Sequence, residues 1–347
     1  MGILYSAMEG SRDPLFGKFE TPIKMLITEE AKKQDGKKTP LTALFNVERS
    51  GNFAETVMGE GDFSTFQSVK EGQGAENDCV EKTYEKTIYH IEFMKEFTIT
   101  RKMADDAKYG IGANFKSVPK KFVSAYYRTQ NEIACQSLVH GTDTSFTYNK
   151  ALVDVSTGDG LSLFNKAHKY ARGAGTQSNY YKNGTSTTMT SAAAIETLLS
   201  KLANKMRNFK DENGRPMGYI ADTVILPCNR PLLEQTVRKA VGTERAVGSA
   251  NNDVNTQYGM WKIVVLDGWE LAADESDKFM IMSSEANENL LANIFYNRVP
   301  LDVSSHVDYH TRNYIWNGYC RFGVGFTTWK HILLFDDAET NAAATAI

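Results

Sequence analysis

The chain of 347 residues has few cysteines. The four of them, Cys79, Cys135, Cys228 and Cys320, lie far apart and form no CxxC pair. A disulfide framework or a structural zinc site is therefore not expected, and the pattern fits a reducing compartment. The first residues lack the basic-then-apolar order of a signal peptide. No run of about eighteen apolar residues occurs, so we expect no contact with a membrane.

Catalytic signatures are missing as well. The sequence has no GxSxG nucleophile elbow, no GxxxxGK(S/T) phosphate loop and no HEXXH metal motif. We therefore expect no catalytic residue, no cofactor and no metal, and we expect that the protein is not an enzyme. One alternative stays open, a soluble α+β enzyme with an unrecognised site around Asp159 and His168. The formal net charge of −3 gives no reason to expect a non-specific grip on nucleic acid.

The composition is that of a folded chain, with 41% apolar and 23% charged residues. Its length predicts two or three subdomains. Residues 1–40 are mixed in pattern and are expected to form an arm or short linked elements.

The stretch VEKTYEKTIYHIEFMKEFTIT, residues 80–100, is extended in character throughout. Fully extended, it would span roughly 70 Å. Together with GDFSTFQSVKEG and the glycine-rich turn EGQGAEND, it predicts one long hairpin over residues 60–100. The half near the tip is charged and has no core of its own. Because an isolated two-stranded ribbon is only marginally stable in water, we expect this one to lie on a second copy of the chain.

Apolar spacing predicts helices over residues 118–140, 191–209 and 231–241. Strands are predicted at 223–227, 261–269, 278–284 and 313–326, within a β-rich closing stretch that runs from 290 to 335. The glycines of FGVGF, residues 322–326, are expected to let another backbone approach closely. The tail DDAETNAAATAI is expected to be a flexible end.

Several stretches resemble the major capsid proteins of tailed phages. GDGLSLFNKAH (158–168) is similar to the DG-x-x-LF-x-x-AH stretch of the Mu-like major head subunit group. DTVILPCNRPLLEQTVRKAV (222–241) resembles the strand and helix of the capsid's axial domain, and WKIVVLDGWELAADESDKFMIMSS (261–284) resembles its following strands. HTRNYIWNGYCRFGVGF (310–326) resembles the closing segment. The resemblance covers roughly residues 40–335 and departs at TTWKHILLF, where the family often has a proline–aromatic pair.

This resemblance implies an α+β fold of the Hong Kong 97 type (HK-97-like). The implied parts are an N-terminal arm (1–40), an extended loop with its base (41–101, hairpin about 60–100), a peripheral domain (102–184, with a spine helix at 118–140), an axial domain (185–290), and a closing β segment that returns to the peripheral domain and ends in the C-terminal tail (291–347).

The resemblance also implies a function, that of a structural subunit of an icosahedral phage head. Such subunits self-assemble into pentamers and hexamers that enclose double-stranded DNA without sequence-specific binding. The implied partners are many copies of the chain, a portal, a separate scaffolding protein and a decoration protein, and the implied location is the virion after assembly in the host cytoplasm. An encapsulin-like nanocompartment shell and a tail or baseplate component stay open as alternatives. The expected subunit-interface residues are Phe63, Phe66, Lys82, Tyr84, Lys86, Arg245, Asn251 and Asn252.

Overall fold

The structure is a computed structural model that describes residues 3–8, 16–61, 63, 65–75, 77, 82–106, 113–170, 175–183, 189, 191–245, 254–338 and 343–346. The helices are, in chain order, α1 (Phe16–Asp35), α2 (Pro40–Leu44), α3 (Arg101–Asp106), α4 (Ala113–Val139), α5 (Ala192–Arg207), α6 (Pro231–Gly242) and α7 (Ser284–Asn289).

The strands of the first half are β1 (Leu4–Met8), β2 (Asn46–Arg49), β3 (Ala54–Glu60), β4 (Lys82–Tyr89), β5 (Ile91–Ile99), β6 (Ser145–Tyr148) and β7 (Ala151–Asp154). Those that follow are β8 (His168–Lys169), β9 (Thr176–Gln177), β10 (Tyr180–Lys182), β11 (Thr223–Pro227), β12 (Lys262–Leu266), β13 (Lys278–Met282), β14 (Asn293–Val307), β15 (Tyr314–Phe326), β16 (Ile332–Asp336) and β17 (Thr345–Ala346).

The long helix α4 packs on a five-stranded sheet. The sheet has the order β1-β14-β15-β5, with β2 also paired to β14. The side chains of β15 alternate, and those on one face are buried towards α4. There Phe97 stacks on Trp316 and packs against Phe122 of α4. Gly318 lets α4 come close, because a Cβ at this position would lie 2.4 Å from the ring of Phe122. The predicted spine helix is therefore present, and it begins at residue 113 in place of 118.

Helix α1 packs along α4 through a narrow stripe. Ile23, Ile27 and Ala31 are spaced by four residues and are buried, so they line one side of the helix. This long helix differs from the short linked elements that were one expectation for residues 1–40, and the N-terminal arm, the other, stays a prediction. The helix differs from that expectation because charged residues surround a stripe only one side chain wide, which hides the helical period in the sequence.

The second sheet has six strands in the order β12-β11-β13-β16-β10-β17. Helices α5 and α6 pack beside each other, each with a buried apolar face. Strand β11 is buried at every position and coincides with the predicted strand 223–227. Strands β10 and β16 come from outside residues 185–290, so this sheet extends beyond the segment expected to form the axial domain. The C-terminal strand β17 pairs in parallel with β10, and the expectation of a flexible end is therefore wrong for residues 345–346.

The predicted hairpin over residues 60–100 is wrong in its extent. Among the residues that the structure describes there, the ribbon consists of β3 and β4, with Ala54 opposite Tyr89 and Glu60 opposite Lys82. After residue 90 the chain joins the five-stranded sheet, where β5 pairs with β15 from Ile91 to Ile99. Described residues 61–77 contain no strand. The spacing of Phe63 and Phe66 by three residues does not fit the two-residue period of a strand.

Candidate subunit interface

The far end of the ribbon is exposed. Phe66 lies wholly in solvent, and the side chain of Phe63 is 61% exposed. Val69 is more than half exposed as well. Large apolar side chains that gather in one exposed segment are typical of an interaction site. Of the expected interface residues, Phe63 and Phe66 thus lie where a second molecule can reach them, and Lys82 is exposed at the point where the paired part of the ribbon ends.

The near end of the ribbon is anchored on its own chain by close backbone approach. Ile88 is 2% exposed and packs with Ile294, Tyr296 and Val57. A Cβ at Gly325 would lie 2.7 Å from the Ile88 side chain, and one at Gly323 would lie 2.7 Å from the Tyr89 carbonyl oxygen. These two glycines of β15 therefore let β4 lie directly on the sheet. The predicted role of the FGVGF glycines is confirmed.

Polar contacts add to this anchor. The Lys86 amine donates to Asp154 Oδ2 at 2.6 Å and to Ser156 Oγ at 2.8 Å, and Lys86 is 7% exposed. Burial would raise the pKa of Asp154, but the hydrogen bonds from Lys86 and Ser156 outweigh it and hold that pKa below its usual value. The Tyr84 hydroxyl donates to the Tyr170 carbonyl oxygen at 3.0 Å. These contacts hold β4 on the segments after α4 along most of its length, from Lys86 to Tyr84 near its far end.

Two of the expected interface residues are thus engaged within the subunit. Tyr84 and Lys86 were expected to meet a second copy, because the ribbon was expected to have no contacts in its own chain. The expectation that the ribbon has no contacts in its own chain is wrong for β4, since the Tyr84 hydroxyl and the buried Lys86 amine have intramolecular partners. Arg245 is exposed on a separate loop after α6. Asn251 and Asn252 lie outside the described residues.

His90 lies at the junction where the ribbon meets the sheet. Its Nε2 is 2.8 Å from Ser50 Oγ, and the same hydroxyl donates to Glu55 at 2.7 Å. Burial lowers the pKa of His90, and the positive charge of Arg321 lowers it further. Sequence reasoning missed this residue. The only signal for it was the change in parity of the apolar residues on either side of it.

The open enzyme alternative centred on Asp159 and His168. His168 Nδ1 is 2.7 Å from Asp159 Oδ2, and both side chains are enclosed. The other ring nitrogen, Nε2, is 3.2 Å from Asn179 Oδ1. The imidazole also stacks on Trp329 with 4.5 Å between the ring centroids. The arrangement joins the 157–168 loop to Asn179, directly before β10, and to Trp329 in the segment before β16.

The second Asp159 oxygen is also occupied. Its Oδ1 accepts hydrogen bonds from the Thr157 hydroxyl and from the Leu161 backbone N–H. Burial would raise the pKa of Asp159, but the hydrogen bonds from His168 and Thr157 hold it below its usual value. The aspartate and histidine of the DG-x-x-LF-x-x-AH stretch are therefore explained by loop structure.

Among the described residues, no group of three or more His, Cys, Asp or Glu side chains is arranged to hold a metal ion. None of the helices in the described part of the chain is long and apolar enough to cross a bilayer.

Comparison with known proteins identifies the fold. No protein-family model matches the chain, and no curated protein sequence matches it. Solved structures do match. The capsid structure of cyanophage P-SCSP1u is 14% identical, with a TM-score of 0.51 over 88% of this chain and 89% of that one. The capsid of the empty GTA particle is 11% identical, with a TM-score of 0.51 over 86% and 90%. A structure of Mycobacterium phage Patience is 12% identical, with a TM-score of 0.50 over 99% and 94%.

The chain has the α+β fold of the Hong Kong 97-type phage capsid proteins. The likeness extends over most of the chain in each case, so the predicted fold class and the resemblance to phage capsid proteins are confirmed. Membership of the Mu-like head subunit group stays a prediction.

Proposed function

We propose that this chain is the shell subunit of an icosahedral phage head, which assembles into pentamers and hexamers and encloses double-stranded DNA. The observation that carries the proposal is the ribbon, because its base is fixed to the subunit while its apolar end is exposed. Phe63 and Phe66 would gain their burial from an adjacent copy. The capsid fold supports the same conclusion. The subunit would have a structural role, without catalytic chemistry.

The parts of the subunit follow from this proposal. Residues 41–101 would supply the extended loop and its base, residues 102–184 the peripheral domain around α4, and residues 185–290 most of the axial domain. The exposed loop with Arg245, together with Asn251 and Asn252, would lie near the centre of a capsomer. A portal, a scaffolding protein and a decoration protein would complete a particle that assembles in the host cytoplasm.

Particle size tests the proposal. The expressed chain, examined by size-exclusion chromatography and negative-stain microscopy, should form or be induced to form closed shells of megadalton mass. A small oligomer at every concentration would contradict the proposal, and rings or tubes would favour a tail component. Nuclease-resistant DNA inside shells from infected cells would support a phage head. Shells that hold a protein cargo in place of nucleic acid would favour the encapsulin-like alternative.

A sharper test separates the ribbon end from its anchor. Phe63→Ser with Phe66→Ser should leave a folded subunit that no longer forms shells, because the exposed aromatic rings are the groups that a second copy would cover. Met25→Ser with Leu152→Ser is the matched control, since these side chains are also exposed large apolar groups. The control should assemble normally. Normal shells from the ribbon variant would contradict the proposed role of the ribbon.

A further inference from the structure

A groove of about 630 Å³ lies between the end of α1 and the exposed side of α4. Three cations line it, Lys37, Lys121 and Arg128. No carboxylate is among the described residues that line it. This is a local exception in a chain whose formal net charge is −3.

The three cations are placed to act together. Lys121 and Arg128 are seven residues apart on α4, so they share a face of the helix about 10.5 Å apart along its axis. Lys37 follows the end of α1 and meets the groove from the other wall. All three are exposed. Within the described part of the chain, neither lysine forms an ion pair. Glu132 lies 3.8 Å from Arg128, and it also accepts a hydrogen bond from another side chain.

The neighbouring carboxylates are already occupied. Glu30 is buried, and it accepts hydrogen bonds from Gln34 at 2.6 Å and from Ser124 at 3.2 Å. Asp35 accepts a hydrogen bond from the Tyr127 hydroxyl at 2.9 Å. These bonds also fix the neutral polar walls of the groove. The two lysines therefore remain free for a ligand, and among the described residues Arg128 has only the long contact with the half-exposed Glu132.

We infer that this groove contacts the phosphate groups of a nucleic-acid backbone. Lysine, arginine and neutral hydroxyl or amide side chains are the groups that contact phosphate oxygens in protein–DNA complexes, and such contacts do not depend on sequence. An acidic protein segment is less well matched, because protein partners are held by apolar anchors in pockets. Here Ala125 and Tyr127 are the only apolar or aromatic side chains among the described lining residues. The inference rests on the proposed function, in which the nucleic acid is the DNA that the shell encloses.

Binding by the unassembled subunit tests the groove. The groove variant is Lys37→Gln with Lys121→Gln and Arg128→Gln. The control is Lys150→Gln with Lys201→Gln and Lys239→Gln, which removes the same charge from exposed positions outside the groove. Fluorescence anisotropy would follow a labelled DNA duplex of about 20 base pairs between about 50 and 200 mM salt. Poly-glutamate of matched charge is the second probe.

The wild-type chain should bind the duplex with an affinity that falls as salt rises. The slope of log affinity against log salt is negative, and each lost phosphate contact makes it less steep by about one. The groove variant should therefore have a slope that is less steep by about three. The control should keep the wild-type slope. Equal losses in the two variants would overturn the inference, and so would poly-glutamate binding as tight as that of DNA.

These outcomes are separate from those of the proposed function. A chain that forms shells, but whose groove variant binds DNA like the control, overturns the groove alone. A chain that never forms shells overturns the proposed function, whatever its affinity for DNA.

Discussion

Gly325→Ala is expected to loosen the ribbon at its base. A methyl group at this position would lie 2.7 Å from both Cδ1 and Cγ1 of Ile88, well inside van der Waals contact. Ile88 cannot turn away without opening the cluster that it forms with Ile294 and Tyr296. Overpacking of this kind costs about 1–3 kcal/mol. We expect this cost to lower the free energy that is needed to open the ribbon from the sheet.

A second substitution shows whether this contact is the cause. Ile88→Ala removes the atoms that the new methyl group meets, and alone it should cost about 2–5 kcal/mol. In the double variant the methyl group takes up part of the vacated space. The combined cost should therefore fall short of the sum by about 0.5–3 kcal/mol. Gly323→Ala is the control, because its methyl group would lie 2.7 Å from the Tyr89 carbonyl oxygen, a backbone atom that Ile88→Ala leaves in place, and 3.3 Å from Ile88 Cγ2, so its cost should add more nearly fully than that of Gly325→Ala.

Hydrogen exchange under native conditions is the suitable assay, since the amides of β3 and β4 report the free energy of local opening. Urea unfolding of each variant would show that the rest of the subunit is intact. Costs that add fully for both glycines would refute the argument, as would wild-type protection in Gly325→Ala. Either result would mean that close approach at β15 does not hold the ribbon.

Three further predictions concern buried polar groups. Asp154→Ala should destabilise the ribbon base by about 3 kcal/mol, because it leaves the buried ammonium of Lys86 unpaired. Lys86→Met should cost only about 1 kcal/mol, because the carboxylate that it leaves is half exposed. Hydrogen exchange of β4 measures both costs. Burial lowers the pKa of His331 to about 3, so the unfolded chain takes up a proton below about pH 6.5 and the folded chain does not. Stability should therefore fall by up to about 1.4 kcal/mol per pH unit from there towards pH 3, and urea unfolding at several pH values should show a smaller fall in His331→Gln. Asp159→Ala should lower the free energy of unfolding by about 1–3 kcal/mol, because it leaves the buried Nδ1 of His168 without its partner; an unchanged urea midpoint would contradict the structural role given to this pair.

The sequence predicted the elements whose pattern is local. Strand β11 stands out as a short apolar run, and α5 shows its buried residues at helical spacing. The glycines at 323 and 325 were read correctly as sites of close approach, because glycine inside a strand pattern has few other uses. The sequence did not show which residue packs against these glycines, because Ile88 is more than 230 residues away in the chain.

The hairpin was misjudged because one extended stretch serves two sheets. The apolar residues of this stretch lie at even positions up to Ile88 and mainly at odd positions from Tyr89 onwards, and a change of parity turns the buried face of a strand over. This is the signal that a single continuous strand was the wrong interpretation. The partner of β5 is β15, far along the sequence, and no local pattern identifies such a pairing. The groove could not be predicted for the same reason, because Lys37 meets Lys121 and Arg128 only after α1 has packed on α4.

A fixed base and an exposed end give the ribbon its use in assembly. Ordering a backbone residue costs about 1–2 kcal/mol, and this cost has already been met during subunit folding for the seven residues of β3 and the eight of β4. Association then has less chain to order. Burial of Phe63 and Phe66, worth about 1.5–3 kcal/mol for each ring, remains available to stabilise the contact with a second copy. The anchor residues and the contact residues are therefore different residues by necessity, because a side chain that is already buried in its own subunit has little further burial to contribute to another.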